Sequence, residues 1–315
     1  MKKTFVALLC VMASVAVHAQ PQARTTAPPN PSAAEQELLG ELHRKLQAEL
    51  ERAVAGFDGV MGIAVKDLAG TEAFTVNADM MFPQASSIKI PVLIELFRQA
   101  QTGTVKLAER VEVTKAMMAG GSGVLQNFGD GASALSLRDL AVLMIVLSDN
   151  TATNILIDRV GMEKVNGMLT HYGLRRTRLQ RRMLDTEAQR AGRENLSTPL
   201  EMIWLLNLLH QGKILNAENT AAMMEILSYP KNTPLRRGLP AGVRLANKPG
   251  GLTGVSCDSG IVFLEGRPYA ISVMTTYGSL GDEDGAARTI GEVSKRVFEY
   301  FKRLQSSNAM GVRVR

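Results

Sequence analysis

Three short clusters carry residue types that can do covalent chemistry. Ser86-Ser87-Ile88-Lys89 places a hydroxyl and an amine three residues apart. On a helix those positions share a face, so Lys89 can reach Ser86 if both point into a cleft. A serine hydroxyl is a weak nucleophile until a base takes its proton. An amine whose pKa falls on burial beside other cations can be that base. A helix start adds free backbone N–H groups where an oxyanion could form. Pro91 leaves the Ser87 carbonyl without a helical partner, which is tolerable only near such a start. The spacing alone is a weak signal, because Ser228-Tyr229-Pro230-Lys231 repeats it. Its internal proline makes a helical nucleophile implausible there. The second cluster, Ser148-Asp149-Asn150, lies at a helix-to-helix junction, where Asp149 or Asn150 would also suit an N-cap. The third, Lys248-Pro249-Gly250, enters a strand-rich region, where Pro-Gly would also suit a turn.

Order and spacing join the three. Ser86 and Ser148 are 62 residues apart, and Ser148 and Lys248 are 100 apart. The chain thereby resembles the class A serine β-lactamases and their penicillin-binding-protein relatives, which carry Ser-x-x-Lys, Ser-Asp-Asn and Lys-Thr-Gly in this order. The likeness spans nearly the whole domain and includes Thr151 to Leu156, which continue the second motif in the family's way. It implies that Ser86 attacks the carbonyl of a β-lactam or of a peptidoglycan-like D-Ala-D-Ala acyl donor. Lys89 would help deprotonate Ser86, and Ser148 would relay a proton to the leaving nitrogen. Lys248 would supply positive charge to that relay and to the substrate carboxylate, and Asn150 would orient substrate or lysine. Gly250 and Gly251 would line the substrate site, with the N–H groups of Ser86 and Gly251 as the oxyanion hole. One such donor is worth about 3 kcal/mol to a transition state.

Two departures from the family pattern stand out. Pro249 replaces the usual threonine or serine, so a hydroxyl that would bind the substrate carboxylate is missing. Proline also cannot donate to a sheet ladder, which confines it to an edge strand. The missing hydrogen bond should weaken or alter carboxylate binding by about 1–2 kcal/mol. The second departure concerns the loop whose glutamate activates the deacylating water in class A enzymes. Counted from Thr177-Arg178-Leu179, that position holds Met183, which cannot activate water. The same loop carries Asp185 and Glu187, and Glu187 is the expected substitute base, with Glu194 a weaker one. A surface carboxylate paired with nearby arginines is the competing role for Glu187. A D,D-carboxypeptidase, a penicillin-binding-type peptidase or a slow acyl-enzyme-forming esterase or sensor is the alternative to a β-lactamase.

The elements that must hold these residues follow from periodicity. Helices are expected over Ala34–Phe57, Ser86–Ala100, Ser136–Leu147, Thr151–Val160, Glu163–His171, Pro199–Gln211, Ala217–Leu227 and about Ala286–Arg303. Strands are expected over Gly59–Val65, Thr71–Val76, Val243–Ala246, Gly260–Phe263 and Ala270–Thr275. Strands first, a helical middle, then strands and a last helix indicate an α+β fold: an antiparallel sheet flanked by helices, plus an all-helical lobe. Residues 1–19 read as a signal peptide cleaved after Ala19, with Lys2-Lys3, an apolar run and Val17-His18-Ala19 in order. A periplasmic or secreted location follows. Residues 20–33 read as a disordered lead-in, 34–304 as the two-lobed hydrolase domain, and 305–315 as a flexible tail.

Composition closes several other routes. Apart from Cys10 in the leader, Cys257 is the only cysteine, so no disulfide is expected. One cysteine and His43, His171 and His210 do not make a typical zinc site, and neither metal nor other cofactor is expected. The formal charge is +6, with five arginines at Arg175, Arg176, Arg178, Arg181 and Arg182. That run reads as a solvated face or as internal ion pairs, since no nucleic-acid recognition motif accompanies it. The expected partner is a small acyl donor. No nucleic acid and no integral membrane segment are expected, and the chain is expected to be a monomer.

Overall fold

The computed structural model describes residues 32–131, 133–279 and 284–313. The proposed leader and most of the lead-in lie outside the described residues. Helix α1 (Ala33–Ala55) opens on a capping box between Ser32 and Glu35. Strands β1 (Val60–Asp67) and β2 (Ala73–Val76) follow, then the short β3 (Phe82–Pro83). A 3-10 turn over Ala85–Ile88 leads into α2 (Lys89–Gln101). The helical lobe continues with β4 (Arg110–Glu112), β5 (Ala134–Ser136), α3 (Leu137–Val146), α4 (Asn150–Val160), α5 (Met162–His171) and α6 (Thr186–Arg190). Then come β6 (Leu196–Ser197), α7 (Pro199–His210), α8 (Ala217–Ser228) and α9 (Pro234–Arg237). Strands β7 (Arg244–Leu252), β8 (Val255–Phe263) and β9 (Tyr269–Thr276) precede α10 (Gly285–Gln305).

The main sheet runs β2-β1-β9-β8-β7, and every neighbouring pair is antiparallel. Side chains alternate between its two faces. Residues such as Ile63, Leu245, Val262 and Ile271 face α1, α9 and α10 in one apolar cluster. Ala64, Ala246, Ile261 and Met274 face the helical lobe in a second, larger one. Buried apolar area on both faces is what holds the two lobes on one sheet.

Two local outcomes differ from the periodicity reading. Ser86 lies in the 3-10 turn rather than in the α-helix behind it. Three residues per turn then line up positions i and i+3 more closely than an α-helix would. The strand expected over Val243–Ala246 runs on through Lys248-Pro249-Gly250 as β7, whose ladder is unbroken from Arg244↔Phe263 to Leu252↔Val255. β7 is an edge strand, which is the place in a sheet that tolerates Pro249. Beyond α10, Asn308 Oδ1 accepts from the N–H groups of Met310 and Val312.

Candidate active site

Ser86 is placed from three sides. The paired strands β3 and β6 bring Phe82 opposite Ser197, just ahead of the turn. The Gln84 N–H donates to the Asn195 carbonyl at 2.8 Å, and the Gln84 amide donates to Leu196 O at 3.3 Å. Beneath the turn, the Gln84 carbonyl accepts from the Ser87 hydroxyl at 2.7 Å and from the Cys257 thiol at 3.0 Å. Ala85, immediately before the nucleophile, has φ +44°, and Ser148 has φ +54°. Such conformations cost about 1–3 kcal/mol each in a non-glycine residue and persist only where the surroundings fix them. On the third side β7 presses close. A Cβ on Gly250 would lie 2.4 Å from Gln84 O and 2.8 Å from Ser86 N, so only glycine fits there.

Lys89 opens α2 and is fully buried. Its Nζ donates to the Ser148 carbonyl at 2.7 Å, to Ser148 Oγ at 3.0 Å and to Asn150 Oδ1 at 3.1 Å. Lys248 Nζ reaches the same hydroxyl from β7, at 3.1 Å from Ser148 Oγ, and also donates to Pro249 O at 3.0 Å. One serine oxygen thus stands between two buried amines. Burial, then the Lys248 charge, push Lys89 well below the ordinary lysine range, with Asp149 opposing. Burial likewise brings Lys248 down to about 7, with Asp258 opposing and Lys231 adding to the fall. Ser86 itself is half-buried, and among the described residues its hydroxyl has no protein hydrogen-bond partner.

Asp149 does more than the cap expected of it. Its Oδ1 accepts from Ala152 N at 2.9 Å, capping α4, and its Oδ2 accepts from Val124 N at 2.7 Å and Leu125 N at 2.9 Å. The 119–125 segment is thereby strapped to the start of α4, where the Asn150 amide also donates to Gly120 O at 3.0 Å. Gly123 passes so near that a Cβ would sit 2.2 Å from Asp149 Oδ2, at φ +106°. Gly123→Ala is therefore expected to cost at least about 2 kcal/mol, read as a lower urea midpoint.

The loop after α5 is pinned at both ends, but not by the residues expected to act. Asn154 on α4 holds the Met183 backbone, accepting from Met183 N at 2.8 Å and donating to Met183 O at 3.1 Å. The Met183 side chain is buried in the helical-lobe core. Asn195 Oδ1 accepts from Gln180 N at 2.7 Å and Arg181 N at 3.1 Å. Glu194 is engaged by the buried Arg181 at 2.8 Å, so it is not a free base. Asp185 caps α6 through Ala188 N at 2.8 Å. Glu187 is exposed on α6 beside buried Ala188, and no described contact joins it to Ser86, Lys89 or Asn150. Of the arginine run, Arg181 forms that internal ion pair and Arg182 pairs with Asp158 at the surface.

Sequence reasoning passed over Gln84, Asn154 and Asn195, whose hydrogen bonds tie segments as far as 112 residues apart, Gln84 to Leu196 being the longest such span. Buried amides of this kind have no local motif to announce them. Cys257 is fully buried 3.2 Å from the Ser87 hydroxyl, and burial pushes its thiol up to about 12. Among the described residues no group of histidines, cysteines and carboxylates could hold a metal ion. Among them also, no helix is long and apolar enough to cross a membrane.

The arrangement brings Ser86, Lys89, Ser148, Asn150, Lys248 and Gly250 to one place, and known proteins share its frame. Residues 44–301 match the model of the β-lactamase enzyme family. The chain is 29% identical to β-lactamase CARB-3 of Pseudomonas aeruginosa over 239 residues, covering 73% of this chain and 82% of that one. It is 26% identical to β-lactamase SME-1 of Serratia marcescens over 255 residues, covering 78% and 86%. Among solved structures, a β-lactamase from Sphaerobacter thermophilus superposes with a TM-score of 0.73 at 31% identity, covering 81% of this chain and 97% of its own. PBP-A superposes with a TM-score of 0.74 at 28% identity, covering 83% and 96%. A PBP-A mutant, solved as an acyl-enzyme complex with penicillin G, fits equally well, with a TM-score of 0.74. The chain belongs to the β-lactamase enzyme family.

Proposed function

We propose that the protein opens β-lactam rings by forming an acyl-enzyme on Ser86, and that hydrolysis of this ester is its slow half. The observation that carries the reading is Ser148 Oγ held between Lys89 Nζ and Lys248 Nζ, at 3.0 and 3.1 Å. Burial beside the Lys248 charge makes Lys89 give up a proton more readily than an ordinary lysine, and the neutral amine so formed can accept the Ser86 proton. Ser148 then passes a proton toward the β-lactam nitrogen as the C–N bond breaks. Charged Lys248 faces the negative end of the substrate and takes over part of the carboxylate binding that Pro249 lacks a hydroxyl to provide. The N–H groups of Ser86 and Gly251 stabilise the oxyanion. Asn150 orients Lys89 through the 3.1 Å contact. Export through the 1–19 leader, to the periplasm or medium, fits this role.

A penicillin-binding role is favoured by one specific observation. The position at which the family's register places the water-activating glutamate is Met183, and its side chain is buried. General-base assistance is worth about 10²–10⁴-fold, so its loss separates acylation from turnover. Intact-protein mass spectrometry after addition of benzylpenicillin distinguishes the two readings. An adduct that forms and decays with release of the opened acid is expected for a hydrolase. An adduct that persists without turnover would make the protein a penicillin binder, and no adduct at all would overturn both.

A further inference from the structure

Behind the catalytic strand lies a buried carboxylate that the reaction does not touch. Asp258 sits on β8 opposite Pro249, whereas Lys248 pairs with Ser259. Because side chains alternate along a strand, Asp258 and Lys248 lie on opposite faces of the sheet. Asp258 is fully buried. Its Oδ1 accepts from the Asn247 amide at 2.7 Å and its Oδ2 from Leu235 N at 3.0 Å. The same Asn247 amide donates to Thr233 Oγ1 at 2.8 Å. Among the described residues Asp258 pairs with no lysine or arginine, so its charge is balanced only at longer range. A buried anion with neutral partners alone is costly. Its nearest use is the field it exerts through one sheet thickness on buried Lys248.

We propose that Asp258 is a positioning residue for the Ser86 reaction, keeping the Lys248 amine protonated from the far face of the sheet. The proposal rests on the acyl-enzyme reading above. The other groups acting on Lys248 are the Cys257 thiol on β8, Lys231 after α8 and Lys89 on α2. Lys231 opposes Asp258: half-buried, donating to Leu227 O at 2.7 Å and Tyr229 O at 2.9 Å, it repels the Lys248 charge. Asp149 reaches this group of amines through Lys89. Burial raises Asp258 to about 6, so its negative charge is in place from about pH 7 upward. Lys248 at about 7 loses its proton over the same range. Removing the carboxylate therefore moves the loss of the Lys248 charge to lower pH.

The test is Asp258→Asn, read two ways. In protein carrying 15N-labelled lysine, the Lys248 signal is assigned with Lys248→Arg and titrated. Its midpoint is expected to fall by about half a unit or more, a threefold change in the charged fraction. The ratio of the benzylpenicillin acylation rate at pH 8 to that at pH 6 is expected to fall at least about threefold with it. A residue that only stiffens the sheet would slow the reaction equally at both pH values and leave the titration unmoved, and that result overturns the proposal. If the single variant does not unfold cooperatively, Asn247→Ser combined with Asp258→Asn removes the clash of two amide donors while still removing the charge, with the same expectation. Wild-type protein that forms no adduct would sink the acyl-enzyme reading alone, since the titration still decides whether Asp258 holds the proton on Lys248.

Discussion

Ser86→Ala is expected to form no covalent adduct with benzylpenicillin, and Lys89→Met to acylate about a thousandfold more slowly than wild type. The first follows from the nucleophile being the atom that bonds to the acyl group. The second follows from the geometry around Lys89. Its Nζ is the one basic atom joined to both Ser148 Oγ and Asn150 Oδ1 within 3.1 Å. Methionine keeps the length and burial of the side chain but neither accepts the Ser86 proton nor donates to those oxygens. Loss of a general base costs about 10²–10⁴-fold. Leaving the Ser148 carbonyl and Asn150 Oδ1 without the Lys89 donor adds about 1–3 kcal/mol of instability. Stopped-flow acylation together with adduct mass separates the variants: a Lys89→Met adduct that forms at the wild-type rate would remove Lys89 from proton transfer. The pH profile carries the same information. Acylation needs Lys89 neutral and Lys248 charged, so it rises through the depressed titration of Lys89 and falls as Lys248 deprotonates at about 7. Two amines sharing one hydroxyl titrate as a pair, so the two limbs belong to the pair as a whole.

The framework of this site was legible because its parts carry local signals. The helices named from periodicity recur within about three residues at each end, since an amphipathic helix such as α3 declares its apolar face in ten residues and its capping box just ahead of them. Ser86, Lys89, Ser148 and Lys248 could be named from three short motifs in a family order, and Lys89 and Lys248 meet at the Ser148 hydroxyl. What the chain did not disclose is non-local. No window of sequence shows that Asn154 grips Met183, that Gln84 hangs from Asn195, or that Asp258 lies across the sheet from Lys248. Each depends on register between segments far apart in the chain, which a local pattern does not encode. The short α6 escaped for a related reason. Five residues give too little periodicity to separate a helix turn from a loop. That gap put Glu187 on a loop, where the structure has it exposed on α6.

The loop can be tested by adding what it lacks. Met183→Glu is expected to shorten the lifetime of the benzylpenicillin adduct at least tenfold, and by as much as about 10²–10⁴-fold if the carboxylate is well aimed. The backbone at 183 is held in both directions by Asn154, at 2.8 and 3.1 Å, so a new side chain starts from a fixed point. The exchange has a cost, because Met183 is 8% exposed and packs in the core of the helical lobe. A carboxylate there is desolvated and its pKa rises, which suits a general base near neutral pH but destabilises the fold. A loss of about 1–3 kcal/mol on urea unfolding is expected alongside the faster decay. Glu187→Gln, made in parallel, changes an exposed carboxylate with no described partner, so the adduct lifetime is expected to stay as in wild type. If the adduct of Glu187→Gln persists while that of wild type decays, the exposed glutamate swings in to activate water after acylation. If Met183→Glu decays no faster than wild type, position 183 does not face the ester, and the slow half of the reaction is set elsewhere in the cleft.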